Sequence, residues 1–423
     1  MISIATKQFR TSTNRAGRLY VASSMVLLAG GGFAVLVLAS NGLAAKEFAT
    51  FSTCFAAETV ALSIATGGPS RSLGSLLAKG QDPQAVLLMA ARLVSLLVIL
   101  GMFVLFSLFD AKVALATALL LLSEVSIKLN SDFLRYAVGA PDAALAGLGT
   151  QRLTLVAAGV AHAIVTTETS ASAASFLFAC GFASSLFACT QLLITLRRFD
   201  GTAVPAMPFG GRPTFRQFSI MSWPPGVTET VGMLRTQLLL LVLLYRMPPL
   251  ASREITFSFR FFALGALPYT FLDVSEARNI AEIAVASDEK LVHLRKKLTH
   301  IRHTSRWVWF GATVTSFIGL AAVLSTDALR SFGVTTSSVA MCAVAGAFCS
   351  FGALSNTIAM LGNHHIDHLA GTAAALLVGV ALCLALPITM GPTVALVSLA
   401  VSSLVGSTYV VAALSLRKGI IFL

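Results

Sequence analysis

Apolar residues come in long runs along this chain, and polar residues are confined to short breaks between them. A membrane-spanning helix needs about 20 mostly apolar residues. On that ruler the pattern predicts twelve spans, at 19–39, 48–67, 88–109, 111–128, 147–167, 171–196, 219–245, 255–275, 307–326, 334–361, 370–388 and 391–416. Within the seventh, the apolar run from Leu238 to Tyr245 is too short to span, so its helix is expected to start near Pro224 and Pro225, residues tolerated at a helix start. One long break, roughly 276–306, carries Leu291, Leu294, Leu298 and Ile301 at 3, 4 and 3 spacing, with His293, Arg295, Lys296 and Lys297 at other positions. That reads as a basic amphipathic helix lying on the inner leaflet.

The pattern is also duplicated. Residues 43–48 read LAAKEF and residues 250–255 read LASREI, 207 positions apart. In the same register Phe55 and Ala56 match Phe262 and Ala263, and Arg71 matches Arg278. Each hexapeptide is then the turn between the first and second helices of a six-helix half. An even number of spans per half sets both halves the same way up, as parallel repeats. The expected organisation is an N-terminal six-helix lobe at 1–196, a cytoplasmic linker at 197–218 and a C-terminal six-helix lobe at 219–423. The C-terminal lobe contains the amphipathic helix at about 276–306. The Gly- and Pro-rich stretch RRFDGTAVPAMPFGGRP (197–213) reads as flexible.

Composition sharpens this. Of 423 residues, 56% are hydrophobic and 11% charged, and mean hydropathy is +0.83; a soluble chain carries about 25% charged residues. Six cysteines, Cys54, Cys180, Cys189, Cys342, Cys349 and Cys383, lie inside apolar runs and read as small packing residues, without metal spacing. The apolar run after the basic N-terminus is too long for a cleaved signal and reads as the first span. Lys and Arg in the breaks divide 22 to 5 in favour of the side bearing both termini. That side is therefore cytoplasmic, and the net charge of +12 is mostly a topology signal and a contact with anionic membrane lipid. The expected location is the bacterial inner (cytoplasmic) membrane, multi-pass, with both termini inside. A nucleic-acid partner would need a soluble basic domain, and none is present.

Charges inside spans are the candidate site, since each costs roughly 2.5–3.5 kcal/mol at a helix centre. Glu58 lies near the middle of span 2 and suits a proton site or gating partner, or a structural pair between helices. Arg235 lies near the middle of span 7 and suits an anion, with Glu229 six residues earlier and poorly placed to pair with it on the same helix. Arg260 lies five residues into span 8, where it binds a ligand or snorkels to the outer surface. Arg152 is weaker, becoming an ordinary interfacial arginine if span 5 starts at 150. Glu124 is expected to pair with Lys128 near the inner end of span 4. Spans 2, 7 and 8 are matching helices of the two halves, so their charges suggest a central cleft, and a Glu58–Arg235 bridge across it is one hypothesis. Gly30, Gly31 and Gly32 permit a bend or close packing in span 1, and Pro268 a kink in span 8. GNHHIDHLAG (362–371) reads as a polar turn more readily than a metal site. No Walker A, GxSxG or HExxH motif occurs, so neither an ATPase, a hydrolase nor any other enzyme is expected. No catalytic residue, metal or cofactor is assigned, and coupling to protons or sodium is left open.

The stretch NGLAAKEFATFSTCFAAETVAL is similar to the opening of span 2 in the polysaccharide (O-antigen and exopolysaccharide) flippases of the multidrug/oligosaccharidyl-lipid/polysaccharide (MOP) exporter superfamily. SREITFSFRFFALGAL is similar to that family's span 8 repeat, and MLGNHHID to its turn after span 10. The family's usual Gly-Pro and Tyr-Gly are replaced by Ala44–Ala45 and Phe48–Ala49. The resemblance implies an all-α polytopic membrane protein of about twelve helices, in two parallel six-helix repeats forming a V-shaped MATE/MOP-like bundle with a cavity lined by spans 1, 2, 7 and 8. It implies a transporter moving a polyprenyl-pyrophosphate-linked oligosaccharide for surface polysaccharide synthesis by alternating access. Arg235 would face the pyrophosphate, and membrane lipids, a polysaccharide polymerase and export machinery would be further partners. The alternatives are an ion-coupled drug or metabolite exporter of the same superfamily, then a major facilitator, whose loop motif is missing from GGPSRSLGSLLAKG. A non-transporting scaffold of a polysaccharide assembly complex has no need of mid-membrane charges. A membrane polymerase or ligase usually needs a larger outer loop than this chain has.

Overall fold

A computed structural model describes residues 30–78, 81–134, 141–166, 171–199, 213–265, 295–325, 337–361, 364–391 and 393–418. The N-terminal segment 1–29, most of the linker at 200–212, the first part of the amphipathic stretch at 276–294 and Pro268 lie outside the described residues. In chain order the helices are α1 (Gly30–Gly42), α2 (Ala45–Ala78), α3 (Pro83–Leu108), α4 (Ala111–Phe133), α5 (Pro141–Val165), α6 (Ala173–Phe199), α7 (Phe215–Arg246), α8 (Ser252–Gly265), α9 (Arg295–Ser325), α10 (Ser337–Cys349), α11 (Ala353–Leu361), α12 (His365–Ala385) and α13 (Thr393–Lys418). A single 3-10 turn, Ser350–Gly352, joins α10 to α11 within the tenth expected span. Among the described residues, eight helices are long and apolar enough to cross a membrane. The protein is an all-α polytopic membrane protein.

Contacts divide the chain into two compact units, Met1–Thr230 and Val231–Leu423. The division falls inside α7, so Phe215–Thr230 go with the first unit and Val231–Arg246 with the second. Helix pairings recur in the same chain order in the two units. In the first unit α2 packs on α4, α3 on α4, α4 on α6 and α5 on α6. In the second, the counterparts α8 and α10, α9 and α10, α10 and α13, and α12 and α13 pack in the same way.

In the first unit, Ala61 and Ala65 of α2 pack with Val94, Val98 and Leu105 of α3 and with Leu121 and Val125 of α4. A second cluster joins Leu73 and Leu76 of α2 to Val86 and Ala90 of α3 and Phe218 of α7. α3 turns Leu96, Ile99, Leu100 and Phe103 outward, the stripe expected of a helix facing lipid. In the second unit, small residues let backbones touch. A Cβ on Gly265 of α8 would collide with the carbonyl of Ala343 on α10, and one on Gly346 with the carbonyl of Phe262.

The starts of α7 and α9 differ from expectation. α7 begins at Phe215, not near Pro224, and holds Pro224 and Pro225 in its interior. Its start is a capping box: Thr214 N–H donates to Gln217 Oε1 at 3.0 Å and Gln217 N–H donates to Thr214 Oγ1 at 3.3 Å. The prolines leave the carbonyls of Ile220 and Met221 without their usual helical donors. Membrane helices tolerate such breaks where neighbouring helices pack closely, and here Gly68 of α2 does so. A Cβ on Gly68 would lie 2.2 Å from the Ser222 carbonyl oxygen and 3.1 Å from Gly226 Cα. The second difference is α9. From Arg295 onward the basic segment is continuous with span 9, in one 31-residue helix. Nothing in THIRHTSRWVWF breaks a helix, so this part does not form a separate element ending at 306.

Candidate functional site

The duplicated hexapeptide has a defined job in the first unit. Glu47, in the first turn of α2, accepts a hydrogen bond at 2.7 Å through Oε2 from the backbone N–H of Ala173, the first residue of α6. Ser175 N–H donates to Ser172 Oγ at 3.2 Å at the same helix start. A carboxylate there satisfies an orphan donor and complements the positive end of the helix. Below it, Phe51 and His162 meet Phe176 edge-on, at ring separations of 5.3 and 5.2 Å. Sequence reading placed Glu47 only in a turn, because its partner is 126 positions away.

Glu58 is the fourteenth residue of α2 and is 1% exposed. Its counterpart at the repeat offset is Gly265, so the acid belongs to the first half alone. Glu229 lies half-buried on α7, with its side chain against Gly67 of α2, where a Cβ would meet it at 3.1–3.3 Å. Glu58 and Glu229 therefore both belong to the first unit.

Arg152 and Glu124 come together. Arg152 Nη1 donates to Glu124 Oε1 at 3.0 Å, between α5 and α4, with side chains 21% and 7% exposed. Arg152 is the twelfth residue of α5 and so lies well inside the helix. Gly31 of α1 gives it room: a Cβ there would lie 2.6 Å from Arg152 Cβ. Gly30 and Gly32 have open space instead. The expected Glu124–Lys128 pair is not formed. Lys128 reaches one turn further and pairs with Asp132 Oδ1 at 3.2 Å, and Ser70 Oγ of α2 donates to Asp132 Oδ2 at 2.5 Å. Physically, the buried Glu124 faces an arginine on the next helix. The longer, more exposed lysine follows the helix towards its end and finds the carboxylate there. Span 4 was expected to stop at 128, which put Asp132 outside it; α4 continues to Phe133.

Arg235 belongs to the second unit. It is half-buried on α7, with Nη1 3.7 Å from where a Gly406 Cβ would stand. Gly406 lies where α13 crosses α12, within reach of Ala375 and the Gly371 carbonyl. Arg235 Nε is shielded and has no hydrogen-bond partner among the described residues, and none of the described carboxylates forms an ion pair with it. About three turns further along α7, Arg246 donates to the carbonyl of Cys383. Arg260 is half-buried as the ninth residue of α8, deeper from the helix start than the expected boundary implied. The polar turn before α12 holds an ion contact from His364 Nδ1 to Asp367 Oδ2 at 3.5 Å. Among the described residues no group of three or more His, Cys, Asp or Glu is placed to hold a metal ion.

Solved structures share this architecture. The chain is similar to the lipid II flippase MurJ in an inward closed conformation, with 15% identity, a TM-score of 0.65 and coverage of 94% of this chain and 87% of that one. It is similar to an outward-facing multidrug resistance MATE transporter of the MOP superfamily, with 11% identity, a TM-score of 0.64 and 95% of each chain covered. It is also similar to a MOP superfamily transporter from Pyrococcus furiosus noted for the reverse polarity of its binding pocket, with 12% identity, a TM-score of 0.62 and coverage of 95% and 96%. No family model and no curated protein matches the chain. The fold is that of the MOP-superfamily transporters.

Proposed function

We propose that this protein is a membrane transporter that moves a polyprenyl-pyrophosphate-linked oligosaccharide across the inner membrane for surface polysaccharide synthesis. Movement is by alternating access along a charged path. The observation that carries the reading is Arg235, a guanidinium inside an apolar helix with no carboxylate paired to it among the described residues. An arginine in that position costs stability, and a diphosphate would offset the cost, because guanidinium matches phosphate oxygens bidentately. Arg260 supplies a second positive charge on α8, and Glu58 and Glu229 are proposed to line the path or answer to its gating. Glu124 and Arg152 already satisfy each other and act as a structural pair. The lipid tail stays in the bilayer while sugar and diphosphate cross. The fold's likeness to a lipid II flippase supports the reading.

A second reading, an ion-coupled drug or metabolite exporter, draws support from the likeness to multidrug MATE transporters. A cationic drug would favour net acidic charge along the path, and two Glu against two Arg do not supply it. Deleting the gene separates the two. The flippase reading expects lipid-linked oligosaccharide to accumulate facing the cytoplasm, with loss of surface polysaccharide and unchanged sensitivity to cationic drugs. Intact polysaccharide with raised drug sensitivity would promote the exporter, and neither phenotype would favour a non-transporting scaffold.

A further inference from the structure

The second unit holds hydroxyls that its helices leave unused. Serine and threonine inside a membrane helix commonly donate to a carbonyl one turn back. Three here do so: Thr372 Oγ1 to the His368 carbonyl at 2.7 Å, Ser350 Oγ to that of Ala347 at 2.6 Å and Ser402 Oγ to that of Leu399 at 3.1 Å. Ser403 and Ser407 of α13 depart from this pattern. They are 5% and 4% exposed, and neither has a hydrogen-bond partner among the described residues. A buried hydroxyl without a partner is a cost to the fold, and a ligand oxygen would offset it.

Arg235 reaches the same patch of α13. Ser403 and Ser407 are one turn apart, with Cβ atoms about 5–6 Å from each other, and Gly406 lies between them in the chain. A Cβ on Gly406 would come within 3.7 Å of Arg235 Nη1, so the glycine keeps the helix surface beside the guanidinium bare. The facing wall is the 3-10 turn of span 10, a feature that often marks a functional hinge when it interrupts a helix. A Cβ on Gly352 of that turn would lie 2.5 Å from Ser407 Cβ and 3.0 Å from Ser407 Oγ. Next to the turn, Cys349 Sγ donates to the Ala400 carbonyl at 3.5 Å, so this thiol is already engaged. Neither α13 nor the stretch from α10 to α11 carries an acidic residue. Asp367 of α12 is in contact with His364 at 3.5 Å. The patch therefore combines one fixed positive charge with two hydroxyl donors, the groups that suit phosphate oxygens. Arg235 is only half-buried, which leaves an anion a side from which to approach.

We propose that Ser403 and Ser407 complete the anion site of Arg235, each donating its hydroxyl to a phosphate oxygen of the substrate's diphosphate. The assignment rests on the reading of Arg235 as the partner of that diphosphate. It adds two residues that discriminate a phosphate from an anion held by charge alone.

Titration calorimetry of the full-length protein in phosphatidylcholine nanodiscs tests it, with inorganic pyrophosphate as the probe. The parent should bind pyrophosphate, and Ser403→Ala with Ser407→Ala should weaken binding on the order of tenfold to a hundredfold. Ser402→Ala is the control, because that hydroxyl is spent on its own helix, and it should bind as the parent does. Without pyrophosphate the double variant should melt with the parent, since no hydrogen bond within the described residues is lost. A double variant that melts well below the parent, or a Ser402→Ala protein as weak as the double variant, would make these hydroxyls structural and overturn the proposal. So would a parent that binds no pyrophosphate, or a double variant that binds it as tightly as the parent. If the double variant binds like the parent and labelled lipid-linked oligosaccharide still crosses liposomes in an Arg235-dependent way, the proposal fails and the flippase reading stands. Serine-dependent pyrophosphate binding in a protein that moves no such lipid supports the site and removes the flippase reading.

Discussion

Breaking the Glu124–Arg152 pair is the sharpest test of how the first unit is held together. Arg152→Met removes the guanidinium while keeping much of its apolar stem. It leaves a carboxylate that is 7% exposed, formerly bonded at 3.0 Å, without its cation. Removing one member of a buried ion pair costs about 3–5 kcal/mol, mostly from the stranded charge. The 21% exposure of Arg152 lets some water reach the site, which favours the lower end. For a unit of this size each kcal/mol lowers the melting temperature by about 2–4 °C, so Arg152→Met should melt roughly 6–12 °C below the parent. Glu124→Gln with Arg152→Met carries no stranded charge and should recover more than half of the loss. Thermal unfolding in detergent, followed by intrinsic fluorescence and size-exclusion, measures all four members of the cycle. A single-variant loss below about 2 °C, or a double variant no more stable than Arg152→Met, would refute the view of this pair as a coupled, buried structural unit.

Other substitutions probe the packing around the candidate site. Gly68→Ala drives a Cβ to 2.2 Å from the Ser222 carbonyl and should cost about 1–3 kcal/mol through overpacking, whereas Gly32→Ala meets open space and should be neutral within error in the same thermal assay. Glu47→Ala removes the acceptor at the start of α6 and should cost about 0.5–2 kcal/mol. Glu47→Gln, which keeps an acceptor oxygen, should lose less; equal losses would mean that charge, and not the hydrogen bond, is what α6 needs.

Hydrophobic periodicity carried most of the architecture. The repeat read from two hexapeptides 207 positions apart reappears as the same order of helix pairings in each unit, with the spacing widening beyond the hexapeptides. What the pattern hid was long-range or local in specific ways. Two prolines looked like a helix start because proline is tolerated there, yet the stronger signal was the Thr214–Gln217 capping box ten residues upstream. Lys128 was assigned to Glu124 because i,i+4 spacing is visible along a chain, while the competing partners Arg152 and Asp132 depended on packing and on where α4 ends. The stretch at roughly 276–306 reads as lying in the membrane plane from its amphipathic spacing alone; from Arg295 on, continuity of α9 depends on the absence of a breaker before Trp307. Charges inside spans were legible as costly, and Arg235 keeps that character in the folded chain. Their role depends on what crosses the membrane, which no spacing along the chain encodes.

The most direct test of the transport claim is a reconstituted one. Purified protein is placed in liposomes with a polyprenyl-pyrophosphate-linked oligosaccharide whose sugar is labelled, and an impermeant lectin reports how much sugar faces outward over time. The account predicts that the parent protein exposes inner-leaflet sugar much faster than empty liposomes do. Arg235→Ala, folded and inserted to the same extent, should fall to the empty-liposome rate. Parent liposomes no faster than empty ones would contradict the flippase reading. An Arg235→Ala protein as active as its parent would remove the arginine on which that reading rests.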